Sequence, residues 1–295
     1  MPTITVETLR GLTTLALQLA NTVFWGMPLY LVTLFKALAR GDRARRASGQ
    51  ALIAITQGWV DGVLRIFELT QDLHWDIRGN VKLSPTQSYL LVANHQSWVD
   101  IIAVFQALNR RMPFPRFFAK RELVWLPIVG QALWALDFPL LKRHSAEAVA
   151  RHPELKGEDL ETTRKACEKY RHIPVTLINF LEGSRFTPEK HEQRRSPYRN
   201  LLPPKTGGVA LALESMAGQI DTIVDVTIAY PDSTPNFWDL LSGRVKQVVV
   251  VVEPRPVPPT LLDSSFHSDI RARTRLREWL EDIWQEKDRT LDQLQ

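Results

Sequence analysis

The chain has 295 residues, enough for one large core or for an α/β domain with an N-terminal appendage. Its hydrophobic share of 44% and charged share of 23% are ordinary for globular proteins, and its formal net charge of +5 favours acidic partners: anionic lipid, phosphorylated metabolites or nucleic acid. The single cysteine, Cys167, excludes an internal disulfide framework and a multi-cysteine metal site, and fits a domain folded in a reducing compartment.

Residues 11–35 carry no charge. As a helix this run is roughly 37 Å long, against a hydrocarbon core of about 30 Å. A secretory signal would have a shorter apolar region and a basic leader. Here the leader holds only Arg10 against Glu7, so removal is not expected. Gln18, Asn21, Gly26 and Pro28 interrupt the run and leave two readings. One is a single span with its far side at Lys36; the other is a bent, re-entrant element in one leaflet. Lys36, Arg40, Arg43, Arg45 and Arg46 come next, and the positive-inside tendency puts the domain after them on the cytoplasmic side.

Residues 50–69 place Gln57, Asp61, Arg65 and Glu68 on one polar stripe, with Ile53, Trp59, Val60, Val63, Leu64 and Phe67 around the rest. That pattern is an amphipathic helix, packed on the core or lying in the lipid interface. Residues 1–70 are therefore read as membrane-anchoring and amphipathic helices, and 71–295 as a separate domain.

In the remainder, apolar runs alternate with helical stretches. The strand candidates are 89–93, 116–119, 138–141, 175–181, 223–230 and 247–252. The helix candidates are 98–108, 122–133, 158–171, 208–217 and 268–294, with residues 254–259 a proline-rich linker into the last. This order predicts an α/β fold: a central mixed sheet flanked by helices.

Asn94, His95, Gln96, Ser97, Trp98, Val99 and Asp100 follow the first strand candidate directly. A histidine there sits where α/β proteins build their sites, at the carboxyl end of a strand before a helix begins. If His95 lies in the loop and Asp100 in the first helical turn, the carboxylate reaches the ring. It would then fix one tautomer and leave the second nitrogen to accept a proton. An isolated His-x4-Asp reads more readily as a capping or core-satisfied histidine, and no second histidine has metal-ligand spacing to it.

Glu182, Gly183, Ser184 and Arg185 follow another strand candidate. Arg185 suits a phosphate, and Gly183 lets substrate approach the backbone. The Gly-x-Ser-x-Gly elbow is absent around Ser184, so a serine hydrolase is not indicated. Lys142 and Arg143 end the 138–141 candidate. Lys205, Thr206, Gly207 and Gly208 open a helix whose N-terminus suits an anion, without the P-loop order. Each of these alone could be a solvated basic face. The apolar run 124–129 with Trp134 reads either as an acyl slot or as core packing.

Taken in order, Asn-His-x4-Asp, a strand ending Lys-Arg, Phe-Leu-Glu-Gly-Ser-Arg, and Val-Thr-Ile-Ala-Tyr-Pro resemble the four blocks of the 1-acyl-glycerol-3-phosphate acyltransferase family, over about residues 89–230. The resemblance implies an O-acyltransferase whose catalytic pair is His95 and Asp100. It implies a substrate-binding set of Arg143, Glu182, Gly183, Arg185 and Lys205, with Pro231 shaping the acyl pocket. It also implies a reaction that moves a fatty acyl group from acyl-CoA or acyl carrier protein to lysophosphatidic acid, with no cofactor and no metal. The expected partners are the thioester donor, a lysophospholipid acceptor and membrane lipid, and not nucleic acid. The expected location is the inner membrane, with the 71–295 catalytic domain facing the cytoplasm. Leu181, where Phe-Pro is common, and the Asp137–Arg143 block resemble a subgroup acting on other lysophospholipids. Another lysophospholipid, an amino-lipid, and non-catalytic lipid binding on the same fold therefore stand as alternatives.

Overall fold

The computed structural model describes residues 5–79, 82–117, 119–125, 129–138, 140–141, 151, 165, 167, 170, 173–262, 265–266 and 268–294. Most of the helix expected over 158–171, and Lys142 and Arg143, lie outside them.

Two long helices come first, α1 (Val6–Leu38) and α2 (Asp42–Thr70). The polar residues that interrupt the apolar run of α1 are what dock it. Gln18 Nε2 donates to the Val63 carbonyl at 3.1 Å, Asn21 Nδ2 donates to the Trp59 carbonyl at 3.0 Å, and Trp59 Nε1 donates to Thr22 Oγ1 at 3.1 Å. On α2 these groups meet Gly58 and Gly62, where any added Cβ would collide with Trp25 or Asn21. Small residues and side-chain amides let two apolar helices approach closely without help from water. Pro28 lies inside α1, and the helix continues through it.

The sheet is mixed and six-stranded, in the order β1-β8-β7-β2-β6-β3. Its strands are β1 (His74–Arg78), β2 (Tyr89–Ala93), β3 (Pro115–Phe117), β6 (Thr176–Phe180), β7 (Thr222–Ala229) and β8 (Gln247–Pro256), and two short strands, β4 (Ala119–Lys120) and β5 (Leu140–Leu141), pair separately. All neighbours run parallel except β7 and β8. β2 is buried along its whole length, as a strand covered on both faces must be. Its side chains alternate between two cores. Leu90 and Val92 join a cluster with helices α6 (Gly207–Ser215) and α8 (Ile270–Leu294), a short α5 (Pro188–Gln193) preceding α6 in the chain. Tyr89, Leu91 and Ala93 join a second with α3 (Val99–Leu108), the end of α2 and α7 (Phe237–Ser242). On α8, Leu276, Leu280, Ile283, Trp284 and Leu291 are buried, each worth about 1.5–3 kcal/mol. A third cluster joins Leu29 of α1, Leu52 and Val60 of α2, and Leu133 and Ala135 of α4 (Val129–Ala135).

The expected α/β architecture is thus the observed one, with differences of detail. β1 was not anticipated: Trp75 and Ile77 do alternate with His74, Asp76 and Arg78, but a five-residue, largely exposed run is too short to stand out as a strand. The segment from Pro254 is not yet linker: Pro254 and Pro256 still pair with Val224 and Thr222. Prolines are tolerated there because β1 pairs with β8 only as far as Val251, so their other side is a sheet edge. Of the two readings for residues 50–69, packing on the core is the one seen, since Leu52, Val60, Val63 and Phe67 are buried.

α1 is tied to the rest of the chain at both ends. Glu7 pairs with Arg244 at 2.9 Å, and Gly11 lies against Trp238 of α7. At the far end Lys36 Nζ donates to the Ala135 carbonyl at 2.7 Å and to Asp137 at 2.9 Å. Between them a wide apolar face is uncovered, including Leu19, Val23, Phe24, Met27, Leu31, Leu34 and Phe35.

Candidate active site

β2, β6 and β7 are adjacent and parallel, so their carboxyl ends meet at one edge of the sheet. Each hands over to a polar side chain within two residues: His95 after β2, Glu182 after β6 and Tyr230 after β7. Asn94 extends the pairing past the end of β2. Its Nδ2 donates to the Ile228 carbonyl at 2.8 Å, and its Oδ1 accepts the Ile228 N–H at 2.9 Å.

Asp100 lies in the first turn of α3 and is fully buried. His95 Nδ1 is 2.7 Å from Asp100 Oδ2, which also accepts the backbone N–H groups of Gln96 at 2.7 Å and Ser97 at 2.9 Å. Oδ2 is an acceptor for both backbone N–H groups, so the geometry suits a proton on Nδ1 and leaves the lone pair on Nε2. Among the described residues no side chain hydrogen-bonds Nε2. The ring, about one-fifth exposed, stacks on Phe180 with centroids 4.3 Å apart. The loop is pinned on its other side, where the Phe186 N–H donates to the His95 carbonyl at 2.7 Å.

Glu182 is fully buried. Its Oε1 accepts the His95 N–H at 2.7 Å and its Oε2 accepts the Leu202 N–H at 2.9 Å. Burial pushes its carboxyl up to about 7, with the Asp100 charge adding to the rise and the two backbone N–H donors opposing it. Both oxygens thus serve the protein's own backbone, behind the histidine. Gly183 has φ +66°, a left-handed conformation that suits glycine, and a Cβ there would lie 3.0 Å from the side chain of Lys205. Lys205 is held in place by its own N–H, which donates to the Leu181 carbonyl at 2.7 Å just before α6 begins. The guanidinium of Arg185 lies over the exposed ring of Trp98 at 4.8 Å. A guanidinium stacked in this way keeps its edge N–H donors for an anion.

His95, Asp100, Glu182, Gly183, Arg185 and Lys205 therefore come together at one edge. Arg143 lies outside the described residues, and Pro231 follows Tyr230 directly. The sequence reading passed over three contributors. Tyr230 donates to Asp100, Phe180 stacks on His95, and Arg194 donates to the Glu182 carbonyl at 3.0 Å and to Ser184 Oγ at 2.9 Å. Only Tyr230 left a signal, as a tyrosine at the end of a buried strand.

A histidine oriented by a buried carboxylate, with Nε2 open at the carboxyl edge of a parallel sheet, is an arrangement in an α/β protein that can take up a proton. Residues 74–231, just over half of the chain, match the family model described as Acyltransferase, and the chain belongs to that family. It is 28% identical over 174 residues to 1-acyl-sn-glycerol-3-phosphate acyltransferase 3 of Arabidopsis thaliana, covering 54% of this chain and 43% of that protein. It is 23% identical over 212 residues to 1-acyl-sn-glycerol-3-phosphate acyltransferase gamma of Mus musculus, covering 68% and 51%. The chain thus spans about half the length of these curated relatives. Among solved structures, the 1-acyl-sn-glycerophosphate (LPA) acyltransferase PlsC of Thermotoga maritima superposes with a TM-score of 0.52 at 18% identity, covering 94% of this chain and 97% of that one. That likeness concerns the fold.

Proposed function

We propose that this protein transfers a fatty acyl group from an acyl thioester, of coenzyme A or acyl carrier protein, to the free hydroxyl of lysophosphatidic acid. The observation that carries the reading is the 2.7 Å contact of His95 Nδ1 with buried Asp100, which leaves Nε2 as a base at the sheet edge that also carries Arg185 and Lys205. In this mechanism Nε2 takes the acceptor's hydroxyl proton as the oxygen attacks the thioester carbonyl carbon. The tetrahedral intermediate then collapses, the carbon–sulfur bond breaks, and the thiolate recovers the proton from the imidazolium. Asp100 stabilises the imidazolium throughout. General-base assistance of this kind contributes roughly 10²–10⁴-fold. Arg185, Lys205 and Arg143 hold the phosphate, so that the hydroxyl is delivered to His95.

The same reading assigns residues 1–70 to membrane attachment and 71–295 to catalysis, at the cytoplasmic face of the inner membrane. The uncovered apolar face of α1 supports attachment. The ties at Glu7 and Lys36 favour a helix lying within one leaflet over one that crosses, because crossing would carry one end away from the catalytic domain. Exposed Arg40, Arg43, Arg45 and Arg46 then meet anionic headgroups, each adding about 1 kcal/mol.

The test is to incubate the purified protein with a panel of lysophospholipids and both thioester types, and to identify products by mass spectrometry. Phosphatidic acid from lysophosphatidic acid is the expected product. No acylation of any lysophospholipid with either donor would overturn the assignment.

A further inference from the structure

β7 delivers a buried phenol to the back of the catalytic pair. Tyr230 is 4% exposed, and its hydroxyl donates to Asp100 Oδ1 at 2.5 Å. Asp100 Oδ2 is already occupied by His95 Nδ1 and the Gln96 and Ser97 amides, so the carboxylate has four donors shared between its two oxygens. Burial, and after it the Asp100 charge, push the Tyr230 phenol well above the usual tyrosine range, so it stays an O–H donor at any working pH. Its placement is fixed from both sides. Ile228, two residues earlier, is clamped to Asn94, and Ser97, which opens the turn into α3, donates to the Pro235 carbonyl at 2.5 Å.

We propose that Tyr230 is a positioning residue for acyl transfer, which sets how strongly Asp100 holds a proton on His95. The proposal rests on the reading of His95 as the general base. A carboxylate whose charge is drawn toward a phenol stabilises the imidazolium less than one serving the imidazole alone. The ring then stays neutral, and able to accept the substrate proton, down to lower pH. The hydrogen bond also fixes the plane of the carboxylate and with it the direction of Nε2.

Among the described residues, the charged groups nearest in these contacts are Glu182, which holds the His95 N–H, Arg185, stacked on Trp98 two residues before Asp100, and Lys287 of α8, whose charge acts on Glu182. None of them is altered by Tyr230→Phe, so a shift in that variant reports the hydroxyl.

The experiment uses full-length protein in detergent and two readouts. One is the pH dependence of kcat for acyl transfer to lysophosphatidic acid. The other needs no substrate: the pH dependence of His95 carbethoxylation by diethyl pyrocarbonate, which attacks neutral imidazole, followed by peptide mass spectrometry. In Tyr230→Phe both profiles should move to higher pH, by on the order of 0.5–1 pH unit, with little change in KM for the acceptor. Should that variant not fold, ring-fluorinated tyrosine at position 230 keeps the shape and strengthens the donor, and both profiles should move to lower pH. Unmoved profiles in a folded, transfer-competent variant of either kind would overturn the role of Tyr230. Absence of transfer by the wild type would instead overturn the acyltransferase reading on which it rests.

Discussion

Glu182 Oε1 accepts the backbone N–H of His95 at 2.7 Å, so the His95 loop hangs from a buried carboxylate contributed by the turn after a different strand. The other oxygen ties down Leu202, whose carbonyl accepts Trp284 Nε1 of α8 at 2.9 Å. One side chain thus links the histidine loop, the segment before α6 and the C-terminal helix. A surface turn would not need a carboxylate with no exposure.

The carboxyl of Glu182 is raised from the ordinary 4.5 to about 7. Between those values the folded protein keeps a proton that the unfolded chain has released, so this group's contribution to stability falls as pH rises through the window. The loss is on the order of 3 kcal/mol once pH exceeds about 7. Glu182→Gln removes the titration, and it also sets an amide N–H₂ against one of the two backbone donors, at about 1–3 kcal/mol. Denaturation in detergent at pH 5 and pH 8 should show the wild type losing stability relative to the variant as pH rises. A pH-independent difference would mean that Glu182 stays ionised throughout.

His95→Ala should lower kcat by about 10²–10⁴-fold while the KM for lysophosphatidic acid changes little, since the ring is asked to act in the transition state. Asp100→Asn should be damaging for a second reason. The amide keeps one acceptor oxygen for His95 and the two backbone N–H groups but sets an N–H₂ where Oδ1 now accepts from Tyr230, and it loses the charge that strengthens all four bonds, so the loop itself should loosen. Melting temperature measured beside turnover separates the two effects. A folded His95→Ala protein with wild-type turnover would sink the mechanism.

Lys287 is buried on α8, with Nζ 2.6 Å from Asp225 Oδ1 and donating to the Val226 carbonyl at 2.7 Å and to Thr227 Oγ1 at 2.9 Å. Arg255 Nε meets the other Asp225 oxygen at 3.0 Å. Burial pulls the Lys287 ammonium below the usual lysine range, and the Asp225 charge opposes the shift. Lys287→Met leaves Asp225 with only Arg255 and should cost roughly 3 kcal/mol. Adding Asp225→Asn should restore part of that. Independent, additive losses in thermal unfolding would show that the two are not coupled.

The arrangement of α1 predicts a labelling pattern. Cysteines at the exposed positions Val6 and Leu38 should both react with a membrane-impermeant maleimide on the same side of sealed vesicles. Helix α1 is 33 residues long, about 50 Å, so opposite-side labelling would be easy to detect if the helix crossed. Such a result would mean that the contacts at Glu7 and Lys36 break in the bilayer.

Local chemistry decided much of this protein. The buried runs at β2, β6 and β7, the His95 loop ahead of α3, and the glycine and arginine after β6 were legible because each depends on a few consecutive residues. Strand ends in an α/β sheet also have a predictable use. What Gln18 and Asn21 do was not legible: in the sequence they spoil an apolar span, whereas in the fold they bond α2. Nor was the task of Glu182, which on the resemblance alone would bind substrate. Its partner is the amide of His95, 87 positions away, and Tyr230 reaches Asp100 across 130. Those pairings exist because β7, β2 and β6 lie side by side in the sheet. Strand order follows from how long-range apolar faces bury one another, and no short stretch of sequence carries that information.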